Sequence, residues 1–488
     1  MQAPPTDGIT SVPQQTTREQ RPVPDPSAEN RTQLTWWIWT LAAALFVVYM
    51  LLSLRIHQRI LSNSYDLGVF EQAVRSYAEG HLPVSELKAP GFPVLGDHFS
   101  PVLALLAPLY RLWPSAMALL VAQAALVASS VLPLTCWARR TLGSPAAAVI
   151  GVCYGLSWGL ASGVGYDFHE VAFAVPLLAC SLSALGSGRL RAAVWWALPL
   201  LLVKEDLGVT VAVIGVLVAR RGGGRLGFGT VMAGLTGTVL GLAVLSALSP
   251  DGVMAHWFLP DGSGGGRGGP AGLLFQGTIG MITPDTKVMT LLLVLAPTLF
   301  LALRSSLLWT AVPTLLWRFA SGLSPHWGTG FHYSLVLMPI VFAAFVDALN
   351  LRSSHPASVR RYLAGSAAIT CLLLPQFPFW QLVQSATWRS DPRVAVAHSL
   401  MNRIPDGATV QASTFLVPQL TNRTSVSLFG WAASRPDPQW IMVDTRMPMN
   451  KRWPLSIPDE QAALGRALSH GYRTVAAEDG FVLLNRPG

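Results

Sequence analysis

The chain has 488 residues, of which 51% are hydrophobic and only 12% charged, and its mean hydropathy is +0.43. Soluble domains carry about 25% charged residues, so an ordinary soluble enzyme is excluded. The 34 Lys and Arg outnumber the 25 Asp and Glu, a net charge of +9, which suggests nucleic acid until the membrane alternative is tested: polytopic proteins collect basic residues on one side of the bilayer.

Taken in chain order, residues 1–33 are rich in Pro, Thr, Gln and Arg without apolar periodicity and read as a disordered cytoplasmic tail. Trp36–Leu54 follows as an apolar run without the small-residue exit of a cleaved signal, and reads as an anchor helix. Further apolar runs lie at about 115–137, 145–163, 171–186, 191–203, 207–219, 228–248, 288–303, 306–320, 333–349 and 361–383, giving about eleven expected spans. The shorter run 100–112, broken by Pro101 and Pro108, reads as re-entrant or interfacial. Cys136, Cys153, Cys180 and Cys371 sit singly in apolar runs, which argues against a disulfide framework or a zinc ribbon.

Alternating the spans from a cytoplasmic N-terminus tests this map. The tight pairs Arg139–Arg140, Arg220–Arg221 and Arg360–Arg361 then all fall on the inner side. The basic balance therefore reports orientation in a plasma membrane, and no nucleic-acid partner is expected. Two long loops, 55–114 and 249–287, face outward. The second carries the Gly-rich stretch Gly262–Gly272, which lacks the preceding strand and following Gly-Lys-Ser/Thr of a phosphate loop. From Arg389 the membrane pattern ends. Thr409–Ala412, Trp440–Val443 and Thr474–Ala476 read as strands and Asp459–His470 as a helix. The expected fold class is an all-α polytopic membrane bundle over 34–388, with a small extracytoplasmic α/β domain over 389–488.

Five polar clusters gather at the outer face. Ionisable groups near membrane depth are costly and usually face a cavity. Asp66, after Tyr65, opens a stretch in which Leu67, Phe70, Val74 and Tyr77 recur at helical spacing. It can cap that helix or act as a general base toward an acceptor hydroxyl. Asp97 and His98 precede Phe99-Ser100-Pro101; on an extended chain neighbouring side chains point oppositely, so one of the two is expected to face a common site. Asp167, His169 and Glu170 enter a span, where they serve as a helix start or bind substrate or metal. Lys204-Glu205-Asp206 joins two apolar runs with no room for a solvated loop; either it is an internal ion pair with Asp206 as a cap, or it lines a cavity where Lys204 meets a phosphate. His326 and His332 bracket a Gly-containing loop and Tyr333 follows; their spacing of six is unspecific for metal. Asp97, His98, His169 and Glu170 are the residue types that hold a divalent metal ion, the one candidate cofactor.

Four of these stretches carry a family resemblance. Tyr65-Asp66-Leu67-Gly68-Val69-Phe70-Glu71-Gln72, Gly96-Asp97-His98-Phe99-Ser100-Pro101, Asp167-Phe168-His169-Glu170 and Lys204-Glu205-Asp206 resemble, in matching order, the bacterial multi-spanning family catalogued as domain of unknown function 2079. The resemblance covers about 45–485. That family is similar in layout to the GT-C integral-membrane glycosyltransferases, which implies a polyprenyl-phosphate sugar donor and a cell-envelope glycan, lipid or protein acceptor. It further implies an acidic residue of the first outer loop as base. Asp66 matches that residue, with Asp97 as rival. His326, His332 and Lys204 become candidates for the donor phosphate, and His98, His169 and Glu170 for the acceptor side or a metal. A transporter or flippase for a lipid-linked or polar solute is the alternative; inverted repeats and polar groups near midplane on broken helices would favour it.

Overall fold

The computed structural model of the protein describes residues 26–249 and 278–486. Residues 1–25 of the expected tail and the Gly-rich loop Gly262–Gly272 lie outside the described residues. Each expected span falls on helical backbone. Among the described residues, four helices are long and apolar enough to cross a membrane, namely Thr35–Gln58, Ala116–Leu142, Gly224–Leu248 and His332–Asn350; a fifth arises if Ser144–Gly155 and Trp158–Val164, bent by 42°, form one span. The others are shorter or broken. Leu190–Ala197 continues as a 3-10 turn over Leu198–Leu202, and Asp285–Leu295 gives way to another at Ala296–Thr298. Pro199 and Pro297 sit at these breaks, where the missing N–H and the ring's clash with the preceding turn stop a regular helix. The segment expected to be re-entrant is a 3-10 turn, Pro101–Leu106, followed by a short helix, Ala107–Leu112.

One apolar core spans the bundle, from Tyr49 and Leu52 of the first helix through Trp137, Trp158 and Leu178 to Phe342 and Phe345. Lipid offers these side chains no hydrophobic incentive to associate, so the helices need close contact. The hairpin of Leu207–Arg220 and Gly224–Leu248 obtains it with small residues. A Cβ on Gly215 would stand 2.8 Å from the Gly227 carbonyl oxygen, and one on Gly234 would stand 2.5 Å from that of Gly208.

The C-terminal part forms a five-stranded sheet. Its strands are β3 (Thr409–Ala412), β4 (Ser425–Leu428), β5 (Trp440–Asp444), β6 (Arg473–Glu478) and β7 (Phe481–Asn485); β1 (Val84–Ser85) and β2 (Phe92–Pro93) make a separate small hairpin in the first long loop. The order is β4-β3-β5-β7-β6, with β3 parallel to β4 and β5 and the β5-β7-β6 pairs antiparallel. Three strands and the helix Ile457–Ser469 were expected from sequence; β4 and β7 were not.

A second apolar core welds this domain to the loop after the first helix. Leu67 of the turn Ser64–Gly68 and Phe70 and Val74 of the helix Val69–Ala78 share it with Val417, Leu420 and Val426. Polar contacts run along the same seam. The Gln72 amide donates to the Val426 carbonyl at 2.9 Å, and Arg75 donates to the Thr421 carbonyl at 2.7 Å. Glu71 lies at its centre with no exposed surface. Its carboxylate accepts from the Tyr110 hydroxyl at 3.0 Å and from the Thr421 hydroxyl. Burial pushes the Glu71 carboxyl up to about 7, against the lowering effect of Thr421, Tyr110 and Arg75.

Two outcomes follow for stability. Gly215→Val forces a side chain into the helix–helix contact and is expected to cost about 1–3 kcal/mol, read as a lowered Tm in detergent; an unchanged Tm would contradict the close packing. The second concerns pH. Between about 4.5 and 7 Glu71 is protonated in the folded protein and ionised in the unfolded chain, so stability falls as pH rises through that window. The full loss is about 3 kcal/mol. Glu71→Gln is expected to flatten the Tm-versus-pH profile from pH 5 to 7.5; equal slopes for both proteins would show that Glu71 does not titrate there.

Candidate functional site

Under this seam lies a cavity of about 260 Å³. Its lining includes three carboxylates (Asp66, Asp97, Glu170), two ammonium groups (Lys88, Lys204) and four imidazoles (His98, His169, His326, His332), with Tyr65, Trp317 and Tyr333. Nine of the eleven candidate site residues line it, all but Glu205 and Asp206, and each reaches it by a local device.

Asp66 sits in the turn Ser64–Gly68, whose cap is Asn63: the Asn63 side chain accepts the Tyr65 N–H at 3.0 Å. The capping role open to Asp66 is thus taken by another residue. Its carboxylate meets His169 instead, Oδ1 to Nε2 at 3.0 Å. His169 is aimed by its own support. The Gln123 amide donates to the Asp167 carbonyl at 2.6 Å and accepts the His169 N–H at 3.0 Å, while Asp167 holds a left-handed φ of 70°, which a non-glycine residue adopts only when its surroundings impose it. The Asp167 carboxylate points away and accepts the Asn63 N–H at 2.7 Å.

The expectation that only one of Asp97 and His98 would face the site is corrected. Asp97 has φ −98° and ψ −52°, helical rather than extended, so the two side chains diverge less and both line the cavity. Asp97 pairs with Lys88 at 3.0 Å. His98 lies 3.7 Å from Glu205 and 3.9 Å from Asp97. Burial and Lys204 oppose a proton on His98, but Asp97 and Glu205 outweigh them and its pKa lies above the usual 6.5.

Lys204 reaches Glu170 at 3.2 Å, and its ammonium lies 6.0 Å from the Trp317 ring centre. Glu205 accepts the Phe99 N–H at 3.0 Å and so fixes the 98–99 segment rather than lining the cavity. Asp206 also stays off the lining, and it makes no side-chain cap to Leu207–Arg220. His332 stacks on His169 with ring centres 3.4 Å apart, and its buried Nδ1 has no hydrogen-bond partner among the described residues. His326 bonds through Nδ1 to the Ser321 hydroxyl at 2.7 Å and packs edge-on against Tyr333.

The residue types for a metal are present but their arrangement does not suit one. Asp97 and Glu170 are each spent on a lysine, and His169 on Asp66. Among the described residues no group of three or more His, Cys, Asp or Glu could hold a metal ion. Sequence reasoning missed Lys88, Gln123 and Trp317. Lys88 did leave a signal: the chain has only four lysines among its 34 basic residues, and two of the four line this cavity. The three carboxylates are unequal. The Asp66 side chain is 22% exposed, against 6% for Asp97 and 1% for Glu170. Asp66 is therefore the most accessible of the three.

No curated protein sequence matches the chain. Among solved structures it is similar to ArnT from Cupriavidus metallidurans bound to undecaprenyl phosphate, with a TM-score of 0.51 and 15% identity over 92% of this chain and 98% of that one. The apo state of the same protein gives 0.51 and 14% over the same shares. At this identity the likeness is one of fold. The model of the predicted membrane protein family DUF2079 matches residues 56–483, and the chain belongs to that family.

Proposed function

We propose that this protein is a GT-C type membrane glycosyltransferase that moves a sugar from a polyprenyl-phosphate donor to an acceptor hydroxyl at the extracytoplasmic face. The observation that carries this reading is the pairing of an accessible carboxylate, Asp66 on His169, with two lysines in one cavity. The fold adds support, since the similar ArnT structure holds undecaprenyl phosphate.

In this reading Asp66 takes the proton of the acceptor hydroxyl. The oxygen attacks the anomeric carbon as the bond from that carbon to the phosphate oxygen breaks. The phosphate leaves with the electron pair, and a single displacement inverts the anomeric centre. Lys88, Lys204 and the neighbouring imidazoles stabilise the charge that develops on the leaving group. His169 holds Asp66 and is a positioning residue. Asp97, locked to Lys88 and nearly buried, sets that lysine rather than taking the proton. An apolar groove lined by Ile282, Val288, Leu291, Leu316 and Phe319 shares the helix Val312–Ala320 with the cavity wall at Trp317, and offers a seat for the lipid chain.

The test is sugar transfer in proteoliposomes supplied with polyprenyl-phosphate sugars. Asp66→Asn, which keeps a hydrogen-bonding side chain for His169, is expected to lower kcat by about 10²–10⁴-fold in a protein that still folds, with a lower Tm, whereas Asp97→Asn acts mainly through a weaker hold on the donor. A folded Asp66→Asn protein with full activity would remove Asp66 as base. Lys88→Met is expected to lower kcat, and the loss should be smaller for donors with a better leaving group; a uniform loss would mean that Lys88 only binds.

A further inference from the structure

We infer that Tyr65, Trp431 and Trp453 form a carbohydrate platform that seats a pyranose ring of the acceptor beside Asp66; the inference rests on the transferase reading and names the acceptor class as a glycan. Tyr65 lines the cavity and is the immediate neighbour of Asp66. Its ring meets Trp453 edge-on, centres 4.9 Å apart, and Trp431 at 6.2 Å. The two indoles lie 5.1 Å apart at 38°. Lys88, which also lines the cavity, places its ammonium 4.3 Å from the Tyr65 ring centre. The aromatic cluster thus runs without a break into the polar site.

Two features separate this cluster from ordinary packing. Trp453 leaves 42% of its surface exposed, although its loop is firmly held. Arg452 bonds to Glu460 at 2.7 Å, to the Met447 carbonyl at 2.8 Å and to the Thr445 carbonyl. The Trp431 turn is pinned to it: Gly430, at φ 78°, lets Leu455 approach to where a Cβ would stand 2.2 Å from it. Such anchoring removes the ordering cost of binding. The second feature is the buried indole N–H of Trp431, which has no hydrogen-bond partner among the described residues, a donor left unsatisfied within the cluster.

The chemistry selects a sugar. An indole face is electron-rich and attracts the C–H edges of an apolar surface. A pyranose supplies such a face together with hydroxyls at its rim. The rim here is polar where Lys88 stands over the Tyr65 ring. A ring stacked on Trp453, with the perpendicular Tyr65 ring at its side, would bring a hydroxyl toward Asp66.

Binding tests this without requiring turnover. Full-length protein in nanodiscs is titrated with mannotetraose, galactotetraose and chitotetraose, and with a tryptophan-containing tetrapeptide. At least one tetrasaccharide is expected to bind, with Kd raised roughly tenfold by Trp453→Ala and largely restored by Trp453→Phe. Binding of the peptide alone, binding of none of the four, or a Trp453→Ala protein that melts as wild type and binds as tightly would overturn the platform. Sugar transfer by the wild type is measured separately. Glycan binding that depends on Trp453, without any donor turnover, would leave the platform standing and remove the transferase reading.

Discussion

Three carboxylates share one cavity, and each stays there only because a donor from another segment lies 3.0–3.2 Å away: His169 for Asp66, Lys88 for Asp97 and Lys204 for Glu170. An isolated charge removed from water costs several kcal/mol, and breaking a buried pair by removing one partner costs about 3–5. This constraint governs the architecture around the site. The first long loop supplies Asp66, Lys88 and Asp97, while the helical bundle supplies His169, Glu170 and Lys204. Of the three, the Asp66–His169 pair joins loop to bundle, and the Phe99 N–H bond to Glu205 adds a second tie, so a segment that looks like a linker in sequence becomes a wall of the cavity.

The same logic explains the supports one layer out. Gln123 clamps the backbone on both sides of Phe168, and Glu205 ties down the Phe99 N–H. Gly96 allows the Leu248 carbonyl to come within 2.6 Å of where its Cβ would lie, which presses the Asp97 turn onto the end of a long apolar helix. The C-terminal domain closes the arrangement through Glu71, Thr421 and the shared apolar core. Sites need a first layer held within tenths of an ångström, and rigid surroundings supply that.

Much of this was legible in the sequence. Ionisable residues are so scarce in a 12% charged chain that each cluster between apolar runs stood out, and Asp66, Asp97, His98, His169, Glu170, Lys204, His326, His332 and Tyr333 do line one cavity. What could not be read was direction. Asp206 and Glu205 follow Lys204 directly in sequence yet do not line the cavity. The backbone dihedrals that bring Asp97 and His98 to one side leave no mark in local sequence, and neither does the pairing of Lys88 across the loop. Broken spans were partly visible through Pro199 and Pro297. Strands β4 and β7 were missed because Ser425–Leu428 is short and Phe481–Asn485 is apolar without alternation; their identity as strands comes from partners distant in sequence.

The account stands on a lipid-linked phosphate entering this cavity, and a structure of the full-length protein with undecaprenyl phosphate tests that most directly. The expected result is a phosphate within hydrogen-bond reach of Lys88 or Lys204, on the same side as the Asp66 carboxylate, with the lipid chain running toward Ile282 and Leu316. A phosphate bound elsewhere, with Asp66 and both lysines untouched, would contradict it.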